Sequence, residues 1–193
     1  MLQFFGIKVI NNVEKCGGKC FYVGENIYTF TSNYKMHFMF VGEHSGKLDN
    51  KGRIIFPAPL KRQIPDEEQQ QPMVLKKDIY DKCLILYTMS EWQYQTGILK
   101  KKLNPFNKRH AEFLREYYRG TAELHFDSSN RLLIPKKLLE YIGADKELVF
   151  AGQKGKIEIW SGESYNAKQI SQEDFADLAN DILGGDFGFY NED

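Results

Sequence analysis

Two arginines, each with an aspartate four residues before it, are the side chains of this chain best suited to recognising a ligand. Arg53 follows Asp49, and Arg131 follows Asp127. A guanidinium group can donate two parallel hydrogen bonds to the O6 and N7 atoms of guanine in the major groove of DNA, whereas a carboxylate only accepts. The arginines are therefore candidates for base contacts, and the aspartates for holding the arginines and their turns in place.

The same spacing has a plainer interpretation, in which each aspartate pairs with its arginine and clamps a surface turn. Such exposed ion pairs contribute little to stability. For a single copy of the pattern this interpretation is favoured. Because the pattern occurs twice, it presents two cations at equivalent positions, which suits a repeated ligand and favours a binding role.

The two patterns belong to an internal duplication with a constant offset of 78 residues. An aspartate, an arginine and a proline recur at that offset, with three apolar residues between arginine and proline in both copies. The offset also holds outside the motif, for Gly42 and Gly120, Leu60 and Leu138, and Ile64 and Ile142. A match kept over more than twenty positions indicates a duplicated unit.

Each copy predicts a strand, a tight turn, a second strand and a short helix. An aspartate before small polar residues favours a turn, and Gly52 and Asn130 are residues that tolerate positive φ there. The apolar runs 54–56 and 132–134 indicate short buried strands. The proline after each run ends the strand and can begin a short helix.

The rest of the chain predicts further strands, helices and one polar loop. Strands are expected at Phe4–Ile10, Lys19–Val23, Asn26–Thr31, Met73–Leu75, Cys83–Tyr87, Leu148–Phe150 and Lys156–Trp160. Helices are expected over Glu91–Leu103 after an N-cap at Ser90, from an N-cap at Asn107 through Arg119, from Ser161–Tyr165 onward, and over an amphipathic stretch that carries Phe175–Leu183. The loop is Pro65–Pro72.

The duplication also sets the expected organisation of the chain. The predicted segments are an N-terminal extension (1–35), a first duplicated unit (36–89), connecting helices (90–119), a second unit (120–165), and a C-terminal helix with an acidic tail (166–193). The extension has no counterpart in the duplication. Because Met36 and Met39 lie directly before the point where the repeated sequence begins, we expect that translation starts at one of them.

Composition is that of an ordinary protein with an uneven charge distribution. The formal net charge is zero, but residues 158–193 hold nine acids and one lysine, so the body of the chain is basic. A basic body is compatible with a polyanion partner. No apolar run approaches the roughly 18 residues of a membrane span, and three cysteines favour a reducing compartment. The expected location is the cytoplasm.

Candidate catalytic and metal-binding residues are few. Cys16 and Cys20 have no second Cys or His pair at usual zinc spacing, so two free thiols are the favoured interpretation. The four histidines are scattered with no visible nucleophile beside them. The sequence therefore predicts no enzyme, no metal and no cofactor.

Four segments together resemble the MraZ-type bacterial transcriptional regulators. They are the doubled Asp-x-x-Gly/Asn-Arg-apolar-apolar-apolar-Pro motif, Leu84–Trp92, Phe113–Arg115 and Ile157–Trp160, and the resemblance runs from about Met36 to Gly185. It implies an α+β, mainly β fold. In that fold two tandem AbrB-like swapped-hairpin units form one pseudo-symmetric β-barrel with flanking helices.

The resemblance also implies a function. Family members assemble into rings, bind short direct repeats upstream of the division and cell-wall gene cluster, and usually repress it. We therefore expect a nucleoid-associated, homo-oligomeric repressor that binds double-stranded DNA at promoter repeats. The operator sequence, the number of subunits and the sign of regulation do not follow from the sequence.

The family's DNA-contacting motif maps onto both copies of the pattern here. The expected DNA-binding residues are Asp49, Lys51, Arg53, Lys61, Arg62, Asp127, Arg131, Lys136 and Lys137. The lysines and Arg62 would neutralise phosphates, which positions the protein without specifying sequence. The second copy has Ser129 in place of Lys51, so we expect weaker binding there.

One alternative from another class stays open. AbrB-like barrels also occur in antitoxins, and the amphipathic helix at Phe175–Leu183 could bind a partner protein. In that case the chain would be an antitoxin-like protein-interaction module and would form a stable heterocomplex that does not compete with DNA.

Overall fold

The computed structural model describes residues 8–9, 20–23, 26–29 and 39–183. The chain divides into two compact units, residues 1–37 and residues 38–193. In the first unit, β1 (Lys8–Val9), β2 (Cys20–Val23) and β3 (Asn26–Thr29) form an antiparallel sheet in that order. These strands lie within the three strands predicted for the extension. The side chains of Cys16 and Cys20 and the acidic tail after Leu183 lie outside the described residues.

The second unit holds eight strands and seven helices within residues 39–183. Its strands are β4 (Glu43–Lys47), β5 (Arg53–Ile55), β6 (Met73–Lys77), β7 (Leu84–Tyr87), β8 (Ala122–Leu124), β9 (Arg131–Leu133), β10 (Glu147–Gln153) and β11 (Lys156–Ser161). Its helices are α1 (Ala58–Lys61), α2 (Asp66–Gln69), α3 (Met89–Lys102), α4 (Lys108–Tyr118), α5 (Lys136–Tyr141), α6 (Gly162–Ala167) and α7 (Gln172–Leu183).

The strand order shows that the two copies are interleaved. Six antiparallel strands run in the order β4-β10-β11-β7-β6-β8, and β5 pairs with β9 in a separate two-stranded ribbon. The first strand of each copy pairs with the later hairpin of the other copy, β4 with β10 and β8 with β6. Neither copy can therefore form its sheet without the other.

Two places in the register mark the pseudo-twofold axis that relates the copies. In the ribbon, Ile54 lies opposite Leu132, and these residues occupy the same position in the two copies. At the centre of the large sheet, Ile85 lies opposite Glu158, and these are the third residues of the equivalent predicted strands Cys83–Tyr87 and Lys156–Trp160. Equivalent residues can face one another in this way only at the axis, so one chain has the symmetry of a dimer.

The predicted fold class is confirmed at the level of a mixed, mainly β structure built from two tandem units. The barrel closure remains a prediction. Among the described residues, β4 and β8 form the two edges of the six-stranded sheet, and the ribbon is a second sheet.

The large sheet separates two apolar clusters, because alternate residues of a strand point to opposite faces. The main core combines the buried residues of the ribbon, such as Ile54 and Leu132, with Phe56 and Phe150, whose rings meet edge to face. The other face carries a smaller cluster of Cys83, Ile85, Tyr87 and Trp160, against which Trp92 of α3 and Tyr165 of α6 pack. The predicted buried thiol of Cys83 is confirmed, and burial raises its pKa to about 12.

Two local predictions were wrong and one was confirmed. The N-cap of α3 is Thr88 and not Ser90, since the Thr88 hydroxyl accepts from the backbone N–H of Glu91 and Ser90 is already helical. The loop predicted at Pro65–Pro72 contains the short helix α2. Three acidic residues lie in the first turn of this helix, where negative charge is favourable. Asn107 caps α4 as predicted, and its side chain accepts from the backbone N–H groups of Arg109 and His110.

The first turn has a glycine at its positive-φ position and the second turn has an asparagine, and this difference is testable. Gly52 has φ +79°, and a Cβ there would lie 3.3 Å from the carbonyl oxygen of Ile134. We expect Gly52→Val to lower the free energy of unfolding by about 1–2 kcal/mol, as left-handed backbone is costly for a β-branched residue. The measurement is urea unfolding.

The matched control is Asn130→Gly, because Asn130 adopts φ +56° at the equivalent position. That variant should stay within about 0.5 kcal/mol of the wild type. A Gly52→Val protein as stable as the wild type would show that this turn does not constrain the ribbon.

Candidate nucleic-acid interface

Each aspartate of the duplicated motif organises a turn through its backbone. The Oδ1 atom of Asp49 accepts from the backbone N–H groups of Lys51 at 2.8 Å and Arg53 at 2.9 Å. The backbone carbonyl of Asp49 also accepts from the N–H of Gly52 at 3.0 Å. One side chain thus satisfies two N–H groups of the turn and connects the ends of the two strands.

The second turn reproduces this arrangement closely. Asp127 Oδ1 accepts from the backbone N–H groups of Ser129 at 2.8 Å and Arg131 at 2.9 Å. Its backbone carbonyl accepts from the N–H of Asn130 at 2.9 Å. The substitutions between the copies therefore leave the turn geometry intact.

The second carboxylate oxygen tethers the arginine. In both copies the arginine Nε atom lies 2.7 Å from the aspartate Oδ2 atom, and the arginine side chain is 31% exposed. Within residues 39–183, the Nη atoms of Arg53 and Arg131 form no hydrogen bond or ion pair. The pairing that the plainer interpretation expected is therefore present, but it occupies only one of the three guanidinium nitrogens.

The backbone hydrogen bond from the arginine N–H is the largest cause that lowers the pKa of each aspartate. It brings the pKa of Asp49 to about 2, and the pKa of Asp127 is lowered in the same way. Desolvation is the second-largest effect and opposes this shift, whereas the hydrogen bond from the arginine side chain lowers the pKa further. Both carboxylates stay ionised at neutral pH and keep their arginines oriented.

The ribbon of β5 and β9 brings the two arginines onto one surface. Arg53 lies opposite Leu133, and Ile55 lies opposite Arg131. The residues between them, at positions 54 and 132, are fully buried, so alternation places both arginines on the outer face of the ribbon. Two further cross-copy hydrogen bonds, from the backbone N–H groups of residues 56 and 134, extend the pairing into the turns.

Each turn lies beside a helix of the other copy. Lys61 on α1 donates to the Oδ1 atom of Asn130, and its ammonium nitrogen lies 4.8 Å from the centre of the Phe126 ring. At the first turn, Lys51 and Lys136 line a shallow depression of about 470 Å³ together with the exposed Lys146. Lys146 was not among the predicted site residues, because it lies outside the duplicated motif.

The remaining predicted cations are all on the surface. Arg62 and Lys137 are exposed and take part in no ion pair within the part of the chain that the structure describes. Lys136 lies 3.7 Å from Glu140, a long contact between two exposed groups. The structure therefore brings Asp49, Arg53, Asp127 and Arg131 together at the ribbon, with Lys51 and Lys136 at the first turn and Lys61 at the second.

The described residues contain no group of three or more His, Cys, Asp or Glu side chains arranged to hold a metal ion. None of the helices in residues 39–183 is both long enough and apolar enough to cross a membrane.

Comparison with known proteins identifies relatives over the whole duplicated region. The family described as "MraZ protein, putative antitoxin-like" matches twice, at residues 39–116 and 117–183. A transcriptional regulator MraZ from Christiangramia forsetii is 36% identical over 150 residues, which are 76% of this chain and 94% of that protein.

Two further relatives carry the same name. The protein from Flavobacterium psychrophilum is 38% identical over 145 residues, which cover 75% of this chain and 91% of the relative. The protein from Phocaeicola vulgatus is 34% identical over 145 residues, which cover 75% of this chain and 94% of the relative.

The lowered pKa of Asp49 makes the first turn sensitive to acid. A carboxyl whose pKa is lower in the folded than in the unfolded state adds stability above its unfolded pKa, and this stability is lost as the pH falls. We expect Asp49→Asn to lower the thermal unfolding temperature at pH 7. The difference in unfolding temperature between this variant and the wild type should disappear as the pH falls from 3.8 to about 2.

The matched control is Asp177→Asn, because Asp177 is exposed on α7 and its side chain makes no hydrogen bond or ion pair within the described residues. Its unfolding temperature should follow the wild type at every pH. A gap for Asp49→Asn that is constant from pH 7 to pH 2 would mean that the charge of Asp49 does not hold the turn.

Proposed function

The chain belongs to the MraZ family of transcriptional regulators, and we propose that it binds DNA sequence-specifically by inserting the β5–β9 ribbon into the major groove. The observation that carries this proposal is the pair of tethered arginines, Arg53 and Arg131, on the outer face of one exposed ribbon.

The two-stranded form of the ribbon suits the major groove. That groove admits a two-stranded β-ribbon, and several known DNA-binding proteins read bases from such ribbons. Each arginine keeps its Nε atom on an aspartate and has its Nη atoms available for the O6 and N7 atoms of a guanine. Because the carboxylate fixes the arginine beforehand, less side-chain entropy is lost when DNA binds.

The surrounding cations would position the ribbon on the phosphate backbone. Lys51 and Lys136 lie at the first turn and Lys61 lies at the second. The exposed Lys137 and Arg62 directly follow Lys136 and Lys61 in the chain. Ser129 leaves the second turn with one lysine fewer, but the ammonium group of Lys61 at Asn130 supplies a cation from the other copy. The difference in binding between the two turns should therefore be small.

The target follows from the family resemblance. We propose that the protein binds direct repeats upstream of its own division and cell-wall gene cluster and represses that cluster. One ribbon offers only two base-reading arginines, so tight binding needs several subunits on several repeats, which adds affinity by avidity. A ring of identical subunits provides this arrangement.

Helix α7 supplies a surface for such assembly. The apolar stripe of this helix is not buried in the core of the described residues, since Phe175, Leu178 and Ile182 are all exposed. The helix carries four acids and no basic residue, so pairing of two α7 helices would bring like charges together.

A groove between α3 and α4 is complementary to α7, because it is apolar inside and carries positive charge. Leu99, Leu103 and Phe113 form its apolar lining, and Lys102 and Arg109 lie on its sides. We propose that α7 of one copy binds this groove of the next copy with its apolar stripe. Because the two surfaces differ, repetition of this contact produces a closed ring or an open filament.

The alternative is an antitoxin-like role, which is favoured by the wording of the family description and by the same exposed stripe. In that case α7 would bind a different protein. A pull-down from the native host that recovers a stoichiometric partner, whose binding is unaffected by promoter DNA, would support it. Recovery of this chain alone would count against it.

Removal of an arginine tests the DNA contact. We expect Arg53→Ala to weaken binding to the chain's own upstream DNA about 5-fold to 150-fold, as each bidentate contact to guanine contributes about 1–3 kcal/mol. The measurement is fluorescence anisotropy at one fixed salt concentration. Arg131→Ala should weaken binding by a similar factor.

The control is Arg62→Ala, which should weaken binding to specific and to scrambled DNA by the same factor, as expected for a phosphate contact. Wild-type affinity for specific DNA in the Arg53→Ala protein, with assembly unchanged, would remove the proposed mechanism.

Substitution in α7 tests the assembly. We expect Leu178→Asp to reduce the mass of the native particle measured by native mass spectrometry, because a carboxylate would be placed in an apolar contact. The control is Val41→Asp, since Val41 is apolar and 65% exposed but lies neither on α7 nor among the residues that line the groove. An unchanged particle mass for Leu178→Asp would exclude α7 from the subunit contact.

A further inference from the structure

We propose that Ile55 and Leu133 read the C5-methyl groups of thymines beside the guanines that the two arginines contact. This inference rests on the proposed function and adds a specificity determinant to it. The motif points to the arginines and aspartates, and nothing in it assigns a role to these two aliphatic side chains.

The first observation is that both side chains are on the surface. Ile55 is 65% exposed and Leu133 is 57% exposed, whereas their neighbours in the strands, Ile54 and Leu132, are fully buried. A single exposed aliphatic residue is common in proteins. Here the two occupy the same position in both copies of the duplication, on the same face of the ribbon as the arginines.

The second observation is the register. Leu133 lies directly opposite Arg53, and Ile55 lies directly opposite Arg131. Opposite residues on one face of an antiparallel pair have their Cβ atoms about 4.5–5.5 Å apart. The outer face of the ribbon is therefore made of two arginine–aliphatic pairs related by the pseudo-twofold axis.

This spacing brings a neighbouring base pair within reach of the aliphatic side chain. Successive bases of one strand are separated by about 3.4 Å along the helix axis. When an arginine fork contacts one guanine, the aliphatic group beside it reaches the edge of an adjacent base pair. The apolar feature on the major-groove edge of a base pair is the methyl group of thymine, and apolar side chains contact it in known complexes.

The aliphatic groups would also reject alternative bases. Neither side chain can donate to or accept from a base edge. Against a G·C pair, they would cover polar atoms of guanine or cytosine without giving them a hydrogen bond. Each half of the ribbon therefore favours a guanine next to an A·T pair, a preference that the arginines alone would not produce.

The test replaces thymine by deoxyuridine, which removes the methyl group and leaves base pairing unchanged. The full-length protein is titrated with three duplexes. The first is its own upstream DNA, the second carries deoxyuridine at every thymine of the segment that the protein covers, and the third is scrambled. We expect the wild type to bind the deoxyuridine duplex about fourfold more weakly for each methyl group that Ile55 or Leu133 covers in the natural duplex.

Protein variants assign the effect to the two residues. The double variant Ile55→Ala, Leu133→Ala should bind the natural and the deoxyuridine duplex equally. The matched control is Ile79→Ala, because Ile79 is 56% exposed but lies in the turn between β6 and β7. It should keep the full sensitivity of the wild type to deoxyuridine.

The outcomes separate this inference from the proposed function. If the wild type binds its upstream DNA specifically but is insensitive to deoxyuridine, the inference is overturned and the proposed function stands. If the wild type does not distinguish its upstream DNA from the scrambled duplex, both fail. If the double variant keeps its sensitivity to deoxyuridine and changes the particle mass, the two residues contact a second copy, and the inference is overturned.

Discussion

The antiparallel pairing of β5 with β9 is the interaction on which the candidate interface depends. It joins equivalent segments of the two copies, so that Ile54 faces Leu132 in the core and the two motif arginines share the outer face. A pairing in which each copy closed on itself would keep both turns but separate the arginines. Because β4 and β8 also pair across the copies, the large sheet holds the ribbon in this arrangement.

In the proposed function, the aspartate–arginine pairs act through orientation more than through stability. Each pair is partly exposed, and pairs of that kind are weak in water. However, each carboxylate also accepts two backbone N–H groups, so the same side chain sets the shape of the turn and the direction of the arginine. This coupling explains why the aspartate and arginine recur together although only the arginine has donors for a base.

The two copies match in their turns and differ around them. Lys61 of the first copy corresponds to Leu139 of the second, and both contact the turn of the opposite copy. A lysine thus lies against Asn130, where the turn has Ser129, while a leucine lies against Gly52, where the turn has Lys51. The cation that one turn lacks is supplied by the helix beside it, which keeps both sides of the ribbon cationic.

The sequence by itself determined the duplication, the two turns, most strands and helices, and the residues of the motif. These are local properties: an aspartate with a residue tolerant of positive φ sets a turn, and the hydrophobic pattern sets the strands. The errors at Ser90 and in the loop 65–72 were local as well. Thr88 and Ser90 are both suited to cap α3, and α2 is a short helix that begins after a proline without a side-chain cap. Only the tertiary structure decided that Arg53 and Arg131 share a surface with Ile55 and Leu133, because strand pairing between the copies is a long-range choice. A single chain with two equivalent hairpins could pair them within or between the copies, and burial of Ile54 against Leu132 belongs to the pairing between copies.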